Sequence, residues 1–521
     1  MADRHEENSE ALATTPEDTQ ANQSSTRSQQ GTYAAQSAAS SSTGKEAKPS
    51  GSHGTVVRER KSSHRRPSII REPAVMKRLE QRSAIDQITS NGTIASAVMV
   101  VAALLAVVVA NSPVYETVLK ILEAPVLARV GPLYFSFSIE AFINDLLMAI
   151  FFLLVGIELK YEMTVGQLRK PRQAALPMLA AVGGVAVPAL IYLAINMNGG
   201  DVNGWAVPIA TDIAFALGVM SLLGDKVASE TKVFFQTLAI ADDILAILVL
   251  ALFSGQTPNI AWCAASLVVI IILWALNRAK VYSLKPYMFV GAALWFCMYN
   301  SGIHATLAGV ILAFFLPARS DVRLSVLHEW LGRRAKELDD RYDDERHVLG
   351  QHSFTESAYV VERVMHHVTP PLERAERNIS VLVNFVILPL FAFANAQIRF
   401  VGADFSAILT SAVTLGAFFG AVLGKPIGIV AVTFLLVRIG FAKLPKHVTW
   451  DQVIAVGIMG GMGFTMSILI SGLAYADPFD VMSAKVAILL GSFAAALLGI
   501  LFVQIYAFIT TPRSPEPEEE E

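Results

Sequence analysis

The sequence predicts an all-α polytopic membrane protein, and three observations carry that expectation. The chain is 53% hydrophobic and only 16% charged. Its charged residues crowd into the N-terminus, the C-terminus and one internal segment, leaving a remainder too apolar for water. Stretches of about 20 mostly apolar residues, enough to cross the hydrocarbon core, recur from Thr93 almost to the C-terminus.

Residues 1–57 are rich in Ser, Thr, Gln, Ala and Gly, cannot bury a core, and read as a disordered cytoplasmic tail. The first residues lack the apolar core of a cleaved signal peptide, so the first span is expected to direct insertion. A basic juxtamembrane segment fills 58–90, with nine Lys or Arg against three Glu between Arg58 and Arg82. It reads as a topogenic anchor.

Apolar runs fall at about 93–111, 139–159, 174–196, 205–223, 232–253, 259–276, 284–299, 302–317, 379–396, 413–437, 452–472 and 483–509, which makes twelve expected transmembrane helices within a core of 91–509. With the N-terminus in the cytoplasm, the inside loops carry Lys160, Arg169, Lys170 and Arg172, then Lys226 and Lys232, then Arg278, Lys280 and Lys285, and finally Arg438, Lys443 and Lys446. The short outside loops around Asn198, Gly255, Asn300 and Asp477 carry none, as the positive-inside rule requires. Two exceptions are the outside segment 125–138, whose β-branched and aromatic residues flank a Gly-Pro turn and predict a short extracellular β-hairpin, and the long cytoplasmic insert at about 318–378. In the insert, Leu324 to Arg346 mixes apolar and charged residues at helical spacing. The acidic tail, 510–521, is expected in the cytoplasm. Cys263 and Cys297 lie in different apolar runs and read as inert thiols.

Four charged residues sit where charge is expensive: Asp212, Asp242, Asp243 and Lys425. Each costs about 2.5 to 3.5 kcal/mol at a helix centre, so the set marks a functional site by default. A buried salt-bridge network that only fixes packing would not need two adjacent carboxylates. Neighbours on a helix point about 100° apart, so Asp242 and Asp243 can line one cavity while repelling each other, and a proton or a cation relieves the repulsion. Carboxylates, carbonyls and the Thr211 hydroxyl are hard oxygen ligands suited to a hard cation, and sodium would compete with protons for them.

Two spans read as interrupted. Pro208 breaks the fourth, and Gly460-Gly-Met-Gly-Phe-Thr-Met-Ser467 loosens the eleventh, at corresponding places when spans 3–5 are matched with spans 10–12 as inverted repeats. Paired interruptions point to a transporter site. Opposed half-helix ends would suit Asp212 at N-termini and Lys425 at C-termini.

These residues resemble the NhaA family of sodium/proton antiporters, in which such interruptions occur. The likeness runs in order from about Asn91 to Phe508, through Phe142-Ile-Asn-Asp145, Phe151-Phe-Leu-Leu-Val-Gly-Ile-Glu-Leu-Lys160, Ala210-Thr-Asp-Ile-Ala-Phe-Ala-Leu-Gly218, Asp242-Asp243, Ser301-Gly-Ile-His-Ala-Thr-Leu-Ala-Gly309, Leu388-Pro-Leu-Phe-Ala-Phe-Ala-Asn-Ala396, Gly424-Lys-Pro and Gly463-Phe-Thr-Met-Ser467. The resemblance implies interrupted helices 4 and 11 crossing at mid-membrane, a homodimer joined through the hairpin, and a bacterial inner-membrane location with both termini in the cytoplasm. It also implies electrogenic, pH-regulated exchange of sodium or lithium for a larger number of protons, by alternating access and without a cofactor. Asp243 would be the principal sodium ligand and proton acceptor, Asp242 a second carboxylate pairing with Lys425 when sodium is absent, and Thr211 and Asp212 neighbours of the crossing. Glu158 and Glu162 would match acids of a cytoplasmic funnel linked to pH activation. His304 matches a family position, although a lone helix histidine is more often a packed one. The tails and the insert are not part of the common core.

Two other functions share features with this set. A sodium-coupled symporter of a small solute would share the interrupted helices but should add a larger polar pocket. An intramembrane aspartic protease needs two aspartates facing each other from separate helices, and no Gly-x-Gly-Asp motif is present. No nucleic-acid partner is expected from a net charge of -3.

Overall fold

The structure is a computed structural model that describes residues 92–130, 133–169, 171–252, 258–402 and 404–510. The expected tail 1–57, the basic segment 58–90 and all but Thr510 of the acidic tail lie outside the described residues. The chain is a mostly helical, multi-pass membrane protein. Among the described residues eight helices are long and apolar enough to cross a membrane, and a bent pair brings the number to nine.

The eight are α1 (Gly92–Ala110), α3 (Ile139–Thr164), α4 (Ala174–Asn196 within a helix that starts at Pro171), the segment Val202–Leu222, α7 (Ile260–Arg278), α12 (Pro371–Asn395), α14 (Ala412–Arg438), preceded by the short α13 (Phe405–Thr410), and α17 (Pro478–Thr510). The bent pair is α15 (Trp450–Gly460) and α16 (Phe464–Ala474), at 42° to each other. Three of the twelve expected runs fall outside this set but are helical: α6 (Ser229–Leu252), α8 (Leu284–Ser301) and α9 (Leu307–Phe315). With nine residues, α9 rises only about 14 Å at 1.5 Å per residue, less than half a hydrocarbon core.

Between α1 and α3 lie a short helix, α2 (Tyr115–Leu122), and two antiparallel strands, β1 (Pro125–Val130) and β2 (Leu133–Ser138). Their register runs from Pro125 opposite Ser138 to Val130 opposite Leu133. The turn expected at Gly131-Pro132 lies outside the described residues.

The segment Val202–Leu222 is not one regular helix. A 3-10 stretch, Val202–Ile209, passes into extended backbone at Ala210 (ψ 149°) and Asp212 (ψ 96°) before α5 (Ile213–Leu222) begins. Pro208 has no amide hydrogen to give to a helix ladder, and Asp212 then restarts the helix as its N-cap. Three other stretches widen to π turns: Phe142–Leu147, Val383–Ile387 and Gly420–Gly424. Two of these end two residues before a proline, Pro389 and Pro426, whose ring crowds the carbonyl one turn earlier.

Small residues let the spans approach closely. Gly183 and Gly428 bring α4 and α14 into backbone contact, and a Cβ added at Gly183 would lie 2.5 Å from the Gly428 carbonyl oxygen. Gly424 meets Pro188, with an added Cβ 2.7 Å from its Cα. Close backbone approach of this kind replaces the hydrophobic drive that lipid cannot supply. It also brings the π turn ahead of Lys425 into the interior of the helix assembly.

The insert contains α10 (Leu324–Arg341) and α11 (His352–Val368), packed on each other. The expected helical run to Arg346 stops at Arg341 because the chain turns there. Asp343 accepts from Glu345 N at 3.0 Å, and Gln351 Nε2 donates to the Asp343 and Arg346 carbonyls at 2.7 and 2.8 Å. Arg374, at the start of α12, donates to Tyr282 O at 2.6 Å and lies 2.6 Å from His366 Nε2.

Candidate functional site

The extended backbone before α5 and the break between α15 and α16 lie against each other. Asp212 N donates to Met462 O at 2.6 Å, and Thr211 Oγ1 lies 3.0 Å from Gly460 O. Each contact satisfies a backbone group that a continuous helix would have paired internally, which is how irregular backbone is tolerated at membrane depth.

Asp212 caps two helices at once. Its Oδ1 accepts from Phe215 N at 3.0 Å as N-cap of α5, and its Oδ2 accepts from Thr465 N at 3.2 Å and Thr465 Oγ1 at 2.7 Å in the first turn of α16. The positive ends of both helices therefore face this carboxylate, as expected for an acid at N-termini. Thr465 lay inside a motif noted in the sequence, yet nothing local marked its hydroxyl, because its partner is 253 residues away.

Asp242 and Asp243 project from the middle of α6, and both are buried, at 1% and 2% exposure. Their surroundings differ. Asp242 Oδ2 pairs with the fully buried Lys425 ammonium and lies 2.7 Å from Thr211 Oγ1. Lys425 Nζ also donates to Thr211 Oγ1 at 3.0 Å, so Lys425, Thr211 and Asp242 form a closed triangle. Asp243 Oδ1, like Asp242 Oδ1, has no hydrogen-bond partner among the described residues. Buried polar atoms are normally satisfied, and an exception of this kind marks a place for a proton, water or ion.

Asp243 and Asp212 line a cavity of about 160 Å³, together with Glu158, Gln236, Asn384 and Thr465. The charges acting on Asp243 are the carboxylates of Asp242, Glu158 and Asp212 and the Lys425 ammonium. Four carboxyl groups against one fixed cation make a site that attracts protons or metal cations. Its ligand atoms are oxygens throughout, a donor set suited to a hard cation such as sodium.

Of the residues read from the sequence, Thr211, Asp212, Asp242, Asp243 and Lys425 are thus brought together from α5, α6 and α14 and their flanking turns, and Glu158 joins them through the cavity. Glu162 sits one turn further along α3, outside the cavity wall. His304, between α8 and α9, also lies apart from the cavity, and its buried Nε2 has no partner among the described residues. Gln236 and Asn384 carried no signal in the sequence, since a lone amide in an apolar run is seldom distinctive.

Similarity to known proteins extends over most of the chain. The family model described as Na+/H+ antiporter 1 matches residues 86–503. A protein named Na(+)/H(+) antiporter NhaA from Helicobacter pylori is 41% identical over 409 residues, covering 77% of this chain and 90% of the relative. Proteins of the same name from Oleidesulfovibrio alaskensis and Janthinobacterium sp. are 39% identical over 421 residues (81% and 92% covered) and 40% identical over 403 residues (77% and 88% covered). The insert, the segment Val202–Leu222 and the bent pair α15–α16 fall inside the matched residues, whereas 1–85 and 504–521 do not. The chain belongs to the Na+/H+ antiporter 1 family, the family of the NhaA antiporters.

Proposed function

We propose that this chain is a secondary active transporter that exports sodium, or lithium, in exchange for protons across a bacterial inner membrane. One observation carries the reading. Of two adjacent buried carboxylates, Asp242 is held by Lys425, while Asp243 presents an unpartnered oxygen beside the Asp243–Glu158 cavity. A carboxylate so placed needs a proton or a cation to be stable when buried. The two compete for the same oxygens, which is the requirement for exchange.

In this reading Asp243 takes the ion first. Arrival of sodium recruits the free Asp242 Oδ1 and the Thr211 hydroxyl as further ligands, expels the proton held on Asp243, and weakens the hold of Asp242 on Lys425, so that the Asp242–Lys425 pair gives up a second proton. One proton from Asp243 and one from the Asp242–Lys425 pair against one monovalent cation support electrogenic exchange, with more protons moved than sodium ions. Asp212, whose oxygens are occupied by the starts of α5 and α16, stays a structural counter-charge at the crossing of two interrupted helices. Glu158 supports pH regulation by its place on the cavity wall, and Glu162 acts on Glu158 through its charge. Helices α6, α8 and α9 complete twelve spans with inverted repeats, both termini lie in the cytoplasm, and β1 and β2 join two copies as a homodimer. The charge bias of the loops supports that orientation.

The test places the purified protein in liposomes containing a pH dye, imposes a proton gradient, and adds sodium, lithium or potassium outside. Collapse of the gradient with sodium, lost in Asp243→Asn, is the expected result. Substantial residual exchange in that variant would refute the assignment of Asp243, and no response to any of the three ions would favour a solute symporter.

A further inference from the structure

The Asp243–Glu158 cavity is bounded by Glu158, Gln236 and Gly92, which mark one end of the helix assembly. At the opposite end, beside the loop around Asn198, two buried tyrosines that the exchange chemistry does not use meet. Tyr192 comes from α4 and is fully buried, and Tyr475 is the C-cap of α16 at 5% exposure. Their hydroxyl oxygens are 2.7 Å apart, and Tyr192 Oη is also 2.7 Å from the Asp201 carbonyl oxygen.

The proton placement in this group is determined by its acceptors. A carbonyl only accepts, so Tyr192 donates to Asp201 O, and its one hydroxyl proton is then used. Tyr475 must therefore donate to Tyr192. The chain of bonds ties the end of α16, through α4, to the residue that precedes the 3-10 stretch leading to Thr211 and Asp212. Gly204, in that stretch, leaves the room for it: a Cβ there would lie 2.5 Å from Tyr192 Oη.

We propose that the Tyr192–Tyr475 hydroxyl pair is a gate that closes the path from the Asn198 side to the ion site, and that it must part each time the site turns to that side. The inference rests on the alternating-access reading of the site. The geometry supports it because the two tyrosines come from the two matched halves, 283 residues apart. Any movement that separates α16 from α4 has to break this bond.

The test measures accessibility rather than transport, so that it stands apart from the ion assignment. In a background lacking Cys263 and Cys297, a single Val207→Cys reporter, at a fully buried position of the 3-10 stretch that leads from Asp201 to Thr211, is labelled with an impermeant maleimide in proteoliposomes. A separate Asn198→Cys reporter identifies the side on which the gate lies. Tyr192→Phe, which removes both bonds, should raise the labelling rate from that side by about fivefold or more. A fivefold change in open population corresponds to about 1 kcal/mol, the net worth of one such hydrogen bond. Tyr475→Phe should raise it less, because Tyr192 keeps its bond to Asp201. Gly204→Ala, which pushes into the hydroxyls without removing them, should act in the same direction. Unchanged labelling in all three variants, with the proteins still monodisperse, would overturn the gate and leave the pair as packing alone. If labelling rises as expected while the Asp243→Asn protein still exchanges sodium, the gate stands and the ion assignment fails.

Discussion

Replacing Lys425 with methionine tests the central pair, because the side chain keeps its length and loses only its charge. Lys425 is 0% exposed and Asp242 1%, so water cannot take over from the missing ammonium. Removing one member of a buried ion pair costs about 3 to 5 kcal/mol. An independent route gives a similar figure. Asp242 can escape by taking a proton, and protonating an ordinary carboxyl of pKa about 3.9 at pH 7 costs about three units at 1.36 kcal/mol each, or about 4 kcal/mol. A destabilisation of this size should lower the melting temperature in detergent at pH 7.5 by about 4 to 8 °C, taking about 1 to 2 °C per kcal/mol for a chain of this length. Because the escape route consumes a proton, the deficit should shrink by about 1.4 kcal/mol for each unit the pH is lowered. The double variant Asp242→Asn with Lys425→Met buries no charge at this point and should regain most of the loss. Melting curves of the parent, the single and the double variant at pH 7.5 and 5.5 measure all of this. A single variant within about 2 °C of the parent, or a double variant no more stable than the single, would refute the reasoning.

Three further perturbations probe Asp212, a helix crossing and the insert. Thr465→Val removes the 2.7 Å bond to Asp212 while leaving the 3.2 Å backbone bond; a bond to a charged group is worth about 1.5 to 3 kcal/mol. The variant should melt lower and show weaker apparent sodium affinity in the liposome assay, with Thr465→Ser restoring both. Gly183→Ala forces a Cβ against the Gly428 carbonyl and should cost about 1 to 3 kcal/mol, read as a lower melting temperature. At the insert, desolvation, then the Arg374 guanidinium and His367, hold the His366 imidazole below its usual range. The neutral ring is the form that can accept from Arg374, so the stabilisation is complete above the ordinary histidine value of 6.5 and is lost as the pH falls from there through the lowered value of the folded state. Hydrogen exchange across His352–Val368, corrected for intrinsic rates, should rise between pH 7.5 and 5.5 in the parent and change less in His366→Gln.

Much of the chain was legible from its sequence because lipid imposes simple rules. A span must be long and apolar, so the runs at 93–111, 139–159 and 174–196 coincide with α1, α3 and α4. Charges inside such runs are costly, so Asp212, Asp242, Asp243 and Lys425 stood out without any knowledge of their partners. Backbone breakers were equally plain: Pro208 and the glycines around Gly461 lie where the backbone leaves helical geometry. Less legible were features that depend on local competition. The π turn ahead of Lys425 arises from Pro426 together with the close approach of Pro188, and only the first of these is local.

Sequence alone determined the class of the protein, the positions of its charged residues and the family to which they point. The residues by themselves left Asp242 and Asp243 a symmetric pair, since adjacent residues on a helix differ only in direction, and only the family resemblance implied that Asp242 pairs with Lys425 while Asp243 takes the ion. Tertiary structure broke that symmetry. Lys425, 183 residues away, reaches Asp242, and Asp212 is tied up by Thr465 across the break in the other half. Asp243 is the carboxylate left facing the cavity with an unpartnered oxygen. The physical reason is distance in the chain: burial cost can be read from a single residue and its neighbours, but which charge neutralises which is set by helices that meet only after folding.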